Sequence, residues 1–394
     1  MVGVLDGVRV ADFGRYIAGP FCAALLGDLG ATVVRVERPG GGEDRFLGPV
    51  AADGSGAIFL EVNRGKRGLA LDAAHPAGRD VVRRLLAWAD VVVANLPPSG
   101  LVALGLDEAS VRVVNPTAVL TTVDAFGTAG PYADRVGFDG VAQAMSGAVH
   151  LSGAPGRPTK AYVPWVDFST AAFAALGTVA ALLWRRDHLG EAQHVEASLL
   201  RTALTVAGGP LIEQAVLALD REAIGNRSHL AAPYDICATT DGWIIVQVIG
   251  PAQFRRWCEL VGEPGWADDP RFATDTDRVA HADELTGRLL EWARGRSTAE
   301  ALTALDAARI PAGPVLSPRQ VLDDPHVQAA PLVAPVRYGD ITAPIPLAPF
   351  VLAHGGPVPP RPAPTVGQHT DAVLAELGLA PADIATLRAD GIVG

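Results

Sequence analysis

Lysine stands at only two of 394 positions, Lys66 and Lys160, and cysteine at three. So few lysines leave a Schiff-base mechanism almost no candidates. Cys22, Cys237 and Cys258 are far apart and odd in number. Neither a disulfide framework nor a paired-thiol metal site fits them, so a reducing compartment, the cytoplasm, is the expectation. There is no G-x-x-x-x-G-K-[ST] phosphate loop, no H-E-x-x-H and no G-x-S-x-G elbow. The nine histidines lack metal-ligand spacing, so no metal is expected. The opening Met1-Val2-Gly3-Val4-Leu5-Asp6 lacks a cationic leader followed by an apolar run, and reads as no signal peptide. The longest apolar stretch, Thr170 to Trp184, is broken by Gly177 and closed by Arg185-Arg186. It falls short of the roughly 20 residues of a membrane span and reads as a buried helix, with no membrane partner.

What the chain does have is a large apolar share, 49%, with 19% charged residues, enough for a sizeable core and too apolar for disorder. Its length favours two compact units. A net charge of −11 argues against a nucleic-acid partner, because phosphate contacts need a basic surface. A local basic cluster, Asn63-Arg64-Gly65-Lys66-Arg67-Gly68, could still meet a polyanion, with a solvated surface turn as the ordinary reading.

Strand and helix patterns alternate in the first half. Val8 to Phe13 reads as a strand, Gly14 to Pro20 as a turn, Phe21 to Leu29 as a helix capped at Gly30, and Ala31 to Glu37 as a strand. A helix from about Pro76 to Ala89 and strands over Asp90–Asn95 and Val119–Val123 follow. This alternation predicts an α/β fold with a parallel, doubly wound sheet and ligands beyond the strands' carboxyl ends. From about Gly225 the texture becomes α+β. Tyr234–Thr239 and Trp243–Val248 read as a hairpin about Asp241-Gly242, followed by three helical patterns carrying Trp257, Leu260, Leu289, Trp292 and Leu305. The expected division is a large domain over 1–200, a linker over 201–224, a small α+β domain over 225–325, and a return segment over 326–394. That segment holds the proline-dense Pro331–Pro364 and a last helix over Asp371–Leu377. The first strand-turn-helix unit ends its second strand in Glu37, as a dinucleotide fold would. Its turn, Gly14-Arg15-Tyr16-Ile17-Ala18-Gly19, lacks the central glycine that admits a pyrophosphate, which weakens a nicotinamide reading.

A set of short motifs runs in order along the chain: Leu5-Asp6-Gly7-Val8-Arg9-Val10, Ala18-Gly19-Pro20, Leu29-Gly30-Ala31, Val36-Glu37-Arg38-Pro39, Asn63 to Arg67, Leu69-Ala70-Leu71-Asp72 and Ala89-Asp90-Val91. Asn115-Pro116, Gly130-Pro131-Tyr132, Gly137-Phe138-Asp139 with Ala142-Gln143-Ala144, Ala232-Pro233-Tyr234, Asp241-Gly242, Ile310 to Val315 and Gly367-Gln368-His369-Thr370 continue it. Together they resemble the class III CoA transferases, the family of formyl-CoA transferase, carnitine CoA-transferase and bile-acid-inducible F type proteins. The resemblance implies an intertwined homodimer whose Rossmann-like large domain takes both termini.

It also implies roles for particular residues. Asp167, in Pro164-Trp165-Val166-Asp167-Phe168-Ser169-Thr170, matches the nucleophilic aspartate; by itself such an aspartate would read as a helix N-cap. A carboxylate with an ordinary pKa near 3.9 is ionised at neutral pH, and a helix amino terminus would keep it so, hence no Ser-His pair is needed. Asp139 matches an acidic position near the active site. Tyr16, Ile17 and Ala18 match the turn lining the CoA chain, Arg38 a cation beside the CoA phosphates, and Leu71, Asn95 and Leu96 the adenosine end, with Arg135 also assigned to the cofactor. Coenzyme A, as an acyl-CoA, and a carboxylic acid are the implied small-molecule partners. Two departures stand out: Ala103 replaces an arginine that formyl-CoA transferase uses for the nucleotide, and the small-domain glycine run has only Gly225-Asn226-Arg227-Ser228 near its place. Two other readings remain, an acyl-CoA racemase of the same fold and a non-catalytic CoA-binding protein. The racemase branch places a histidine before the acid of the G-x-D motif, where this chain has Phe138, which cannot move protons.

Overall fold

The computed structural model describes residues 3–188 and 191–394; Met1 and Val2, quoted above for the leader, lie outside them. In chain order the first part comprises β1 (Arg9–Asp12), α1 (Ala18–Asp28), β2 (Thr32–Glu37), α2 (Ala57–Val62), β3 (Arg67–Ala70), α3 (Pro76–Trp88), β4 (Val91–Ala94), α4 (Pro98–Leu104), α5 (Glu108–Val114), β5 (Val119–Asp124), α6 (Asp139–Met145) and α7 (Ala148–Leu151). The two-residue pair β6 (Gly153–Ala154) and β7 (Arg157–Pro158) precedes α8 (Trp165–Asp187), β8 (His194–Ser198), α9 (Leu199–Val206) and α10 (Gly208–Leu217).

Six strands form one parallel sheet in the order β3-β2-β1-β4-β5-β8. Parallel strands covered on both faces need near-continuous apolar runs, and Val91-Val92-Val93-Ala94 is entirely buried. Successive side chains divide between two cores, as the period of two requires. Val92 and Ala94 join the core beneath α3, α5 and the last two helices; Val91 and Val93 join the core beneath α1 and α8.

The helix α1 begins at Ala18, earlier than the Phe21 expected, because Pro20 sits in a first turn that needs no amide donor. At 23 residues α8 corrects two expectations. It is long and apolar enough, by length and composition, to cross a membrane. It is also buried along one stripe only, through Thr170, Ala171, Ala174, Ala175, Thr178 and Ala181, while Phe173, Leu176 and Leu183 are exposed. The small residues of that stripe let α8 close on α1. A Cβ at Gly177 would stand 2.8 Å from Val195 Cγ1, so the glycine permits contact with β8 rather than breaking the helix.

By contacts, residues 149–160 and 219–328 form one unit and the rest of the chain another. Residues 201–218, read as linker, belong to α9 and α10 of the larger unit. The smaller unit contains β9 (Tyr234–Ala238), β10 (Trp243–Gln247), α11 (Pro251–Val261), α12 (Asp275–Ala280), α13 (Ala282–Arg294), α14 (Thr298–Ala307), β11 (Ala312–Pro314) and α15 (Pro318–Asp323). β9 and β10 pair antiparallel, and Trp257, Leu289, Trp292 and Leu305 share one core beneath them. After α16 (Pro325–Ala329), the proline-dense return contains a hairpin, β12 (Val333–Tyr338) with β13 (Ile341–Pro346), that the prolines conceal; a two-stranded ribbon leaves edges where proline costs no ladder bond. Val336, Tyr338 and Ile345 pack on Phe59 and Leu60 of α2. The helices α17 (Thr370–Glu376) and α18 (Pro381–Ala389) close the larger unit. Their Val373, Leu374 and Ile384 complete its first core.

Candidate active site

From β1 the chain turns towards α1 on one face of the sheet, and from its neighbour β4 towards α5 on the other. At such a switch point the two departing loops leave a crevice beyond the carboxyl ends of the strands. A cavity of about 310 Å³ lies there, walled by Arg15–Ala18 after β1, Asn95–Pro98 after β4, Val123–Ala125 at the end of β5, the Ala133–Phe138 loop, and Asp167 and Leu199.

The turn after β1 is held from below. A Cβ at Gly14 would lie 2.7 Å from both Asp12 Oδ1 and Pro20 Cδ, so only glycine fits. Tyr16 adopts φ +61°, a left-handed conformation that costs a non-glycine residue and persists only where neighbours impose it. Asn95 imposes it from one side: its Oδ1 accepts from the Arg15 amide at 2.6 Å and its Nδ2 donates to Arg15 O at 2.8 Å. Asp44 accepts from the Tyr16 amide at 3.3 Å.

Beneath the turn lies the basic segment read as a polyanion site or a surface turn, and it is neither. Asn63, Arg64 and Lys66 are buried. Lys66 Nζ donates to Asp12 Oδ2 and Pro20 O, each at 2.7 Å, and to Asn63 Oδ1 at 2.9 Å; Arg64 pairs with Asp28. Burial pulls the Lys66 pKa down to about 8 despite Asp12. Lys66→Met is expected to cost about 3–5 kcal/mol in urea unfolding, because it strands the buried Asp12 carboxylate. A loss below about 1 kcal/mol, the size of an exposed pair, would show the pair to be dispensable.

Asp167 lies in the first turn of α8 and lines the cavity. Among the described residues, no protein group donates a hydrogen bond to its carboxylate. The helix has no capping side chain of its own, its N-cap being Pro164. Asp139, the first residue of α6, supplies the cap instead: Oδ2 accepts from the amides of Val166 at 2.8 Å and Asp167 at 3.2 Å. Gln143, one turn along α6, donates to Asp139 Oδ1 and accepts from the Ala161 amide at 3.0 Å. The donors expected to keep Asp167 ionised therefore serve Asp139. Burial, and then the Asp139 charge, push the Asp167 pKa up to about 7, which corrects the expectation of an ordinary carboxylate.

Other expected residues separate cleanly. Tyr16, Ile17, Ala18, Asn95, Leu96 and Arg135 are on the cavity wall. Arg135 is exposed, its guanidinium 4.1 Å from the Tyr132 ring centroid. Arg38 is exposed off the wall and pairs at 3.3 Å with Glu43, which is on it. Asp139 is buried behind Asp167, and Leu71 is 1% exposed in the core with Val36 and Val393. Ala103 is exposed on α4. Phe138 meets Tyr16 edge to face at 5.4 Å across the wall. The wall residues not foreseen include Arg15, Glu43, Asp124 and Leu199; Arg15 could have been found from its place beside Tyr16 in the same turn.

The family model described as CoA-transferase family III matches residues 5–370. The chain belongs to that family. It is a CoA transferase, and its α/β fold is the family's. Succinate–glutarate CoA-transferase of Agrobacterium fabrum is 37% identical over 386 residues, 95% of each chain. Formyl-CoA:oxalate CoA-transferase of Rhodopseudomonas palustris is 31% identical, covering 99% of this chain and 97% of its own. Among solved structures, a CAIB/BAIF family protein from Brucella suis aligns with a TM-score of 0.85 and 32% identity over 96% of this chain and all of that one.

The wall combines the apolar side chains of Ile17, Leu96 and Val123 with the positively charged Arg135.

Proposed function

We propose that the protein moves CoA from an acyl-CoA to a carboxylic acid through covalent intermediates on Asp167, and that its acids are dicarboxylic. The observation that carries the first part is the Asp167 carboxylate on the cavity wall, free of hydrogen bonds and made more basic by burial beside Asp139. Its ionised oxygen attacks the thioester carbonyl, forming an aspartyl–acyl anhydride and expelling CoA thiolate. The thiolate attacks the aspartyl carbonyl, which releases the first acid and leaves an aspartyl-CoA thioester. The acceptor carboxylate displaces the thiolate to form a second anhydride. Attack of the thiolate on the new acyl carbonyl then yields the new acyl-CoA and restores the carboxylate. Each step passes through a tetrahedral oxyanion that oriented donors would stabilise.

The substrate class is supported by the relatives above, whose names carry succinate, glutarate and oxalate. The wall holds no histidine among the described residues, which favours transfer over proton exchange at an α-carbon. A homodimer is supported by exposed apolar side chains on α8 and α10, including Phe173, Leu176, Ile212 and Val216, and a cytoplasmic setting by three free, buried cysteines. The test is mass spectrometry after incubation with a panel of acyl-CoAs and hydroxylamine. A hydroxamate on Asp167 is expected; labelling elsewhere, or none with any donor, would overturn the covalent route.

A further inference from the structure

The charges under the β1–α1 turn do not cancel. Three buried carboxylates, Asp12, Glu37 and Asp44, each take one cation: Lys66, Arg45 and Arg35. Arg15 is a fourth cation close enough to feel all three carboxylates, and among the described residues it has no ion-pair partner of its own. A guanidinium cannot discharge itself, and a largely buried one without a counter-charge carries a desolvation cost that an anion would offset.

The geometry is equally one-sided. Arg15 Nη1 donates to Gly14 O at 3.1 Å and to Val36 O at 2.9 Å, and Asn95 clamps the backbone of the same residue. Its Nε and Nη2 have no acceptor among the described residues, and Arg15 is one of the residues lining the cavity that holds Asp167. Of the other carboxylates in that wall, Glu43 faces Arg38 and the Tyr16 hydroxyl, and Asp124 accepts from the Gly127 amide. Arg38 and Arg135 are exposed and suit the phosphates of a long cofactor reaching into solvent, whereas the fixed, sheltered fork of Arg15 suits a compact planar anion.

We propose that Arg15 binds the second carboxylate of a dicarboxylic substrate and thereby makes this site prefer dicarboxylic over monocarboxylic acids of equal length. The inference rests on the transferase reading for the identity of the site and adds the residue that selects the acid. A CoA phosphate offers the same chemistry from another source, so the test separates the two.

The experiment reads thermal stabilisation of the full-length protein by glutarate, by pentanoate and by CoA, in the wild type and in Arg15→Gln and Arg15→Lys, with the acids titrated in the presence of CoA. Glutarate is expected to stabilise the wild type and pentanoate far less. Arg15→Gln is expected to weaken glutarate roughly 10- to 100-fold, the worth of a bidentate charge-assisted contact, while its response to CoA and to pentanoate stays at the wild-type level. Arg15→Lys keeps the charge without the fork and is expected to lose most of the preference. It also serves if the glutamine variant does not fold. Equal responses to the two acids in the wild type, or loss of the CoA response in either variant, would overturn the assignment. Melting needs no turnover, so failure here leaves a hydroxamate on Asp167 intact, and absence of that hydroxamate leaves these shifts untouched.

Discussion

Asp167→Asn is expected to abolish CoA transfer, by roughly 10⁴-fold or more, while making the folded protein more stable. The loss follows from the mechanism: an amide cannot form the anhydride, and of the other wall carboxylates Glu43 and Asp124 are engaged in hydrogen bonds while Asp134 is exposed. The gain in stability follows from linkage. The folded pKa of about 7 lies above the unfolded value near 3.9, so between those values the native state binds more protons than the unfolded chain. Stability therefore falls as pH rises through that window, and above pH 7 the full penalty of an ionised carboxylate beside Asp139 is present. The neutral amide of the variant carries no such penalty. Its advantage over the wild type should be greater at pH 8 than at pH 5 by about 2 kcal/mol, after allowance for partial solvation. Melting curves of the two proteins at both values check this. A variant that is inactive and no more stable at pH 8 would mean that burial of the charge is relieved in solution.

The pH dependence of turnover is the second large effect. Attack on a thioester needs the ionised form of Asp167, and kcat/KM reports the free enzyme's essential group. It is expected to fall about tenfold for each pH unit below roughly 7, far above the range of an ordinary carboxylate. Asp139→Asn keeps an oxygen to accept from the amides of Val166 and Asp167 but removes the charge behind the nucleophile. Its profile should shift towards lower pH without reaching the ordinary range, because burial remains. A midpoint unmoved by Asp139→Asn would assign the whole shift to burial; a wild-type profile flat down to pH 5 would exclude Asp167 as the group that must ionise.

Both effects depend on a pairing that residues taken in order do not reveal. Asp167 and Asp139 are 28 positions apart, and nothing in their local sequence says that one caps the helix carrying the other. The expectation that a helix terminus would keep Asp167 ionised uses a correct principle with the wrong recipient: the amide donors are there, but the carboxylate of another helix takes them. The segment from Asn63 to Gly68 misleads in the same way. Its charges suggest solvent or a polyanion, and only its position under β1 reveals that Asp12 and Asp28 neutralise it. Arg15 stands beside Tyr16 in the expected cofactor turn, but an arginine in a turn reads as surface until the carboxylates around it prove to be engaged elsewhere.

Local order is legible where one physical signal dominates. The buried parallel strands stand out as short valine-rich runs, and the β9–β10 hairpin by alternating residues about Asp241-Gly242. The hairpin of β12 and β13 is hidden because three prolines, at 335, 344 and 346, argue against a strand unless its edges are free. The motifs Gly137-Phe138-Asp139 and Trp165-Val166-Asp167 were sufficient to point to the family and to the carboxylate proposed to carry the chemistry. Composition, periodicity and motif order thus determined the α/β class, the parallel sheet and the family, because each depends on contacts repeated every few residues along the chain. Only the tertiary structure decided which charges cancel, which carboxylate is raised to about 7 and which arginine is left over, because a charge is set by its neighbours in space and the low dielectric around it.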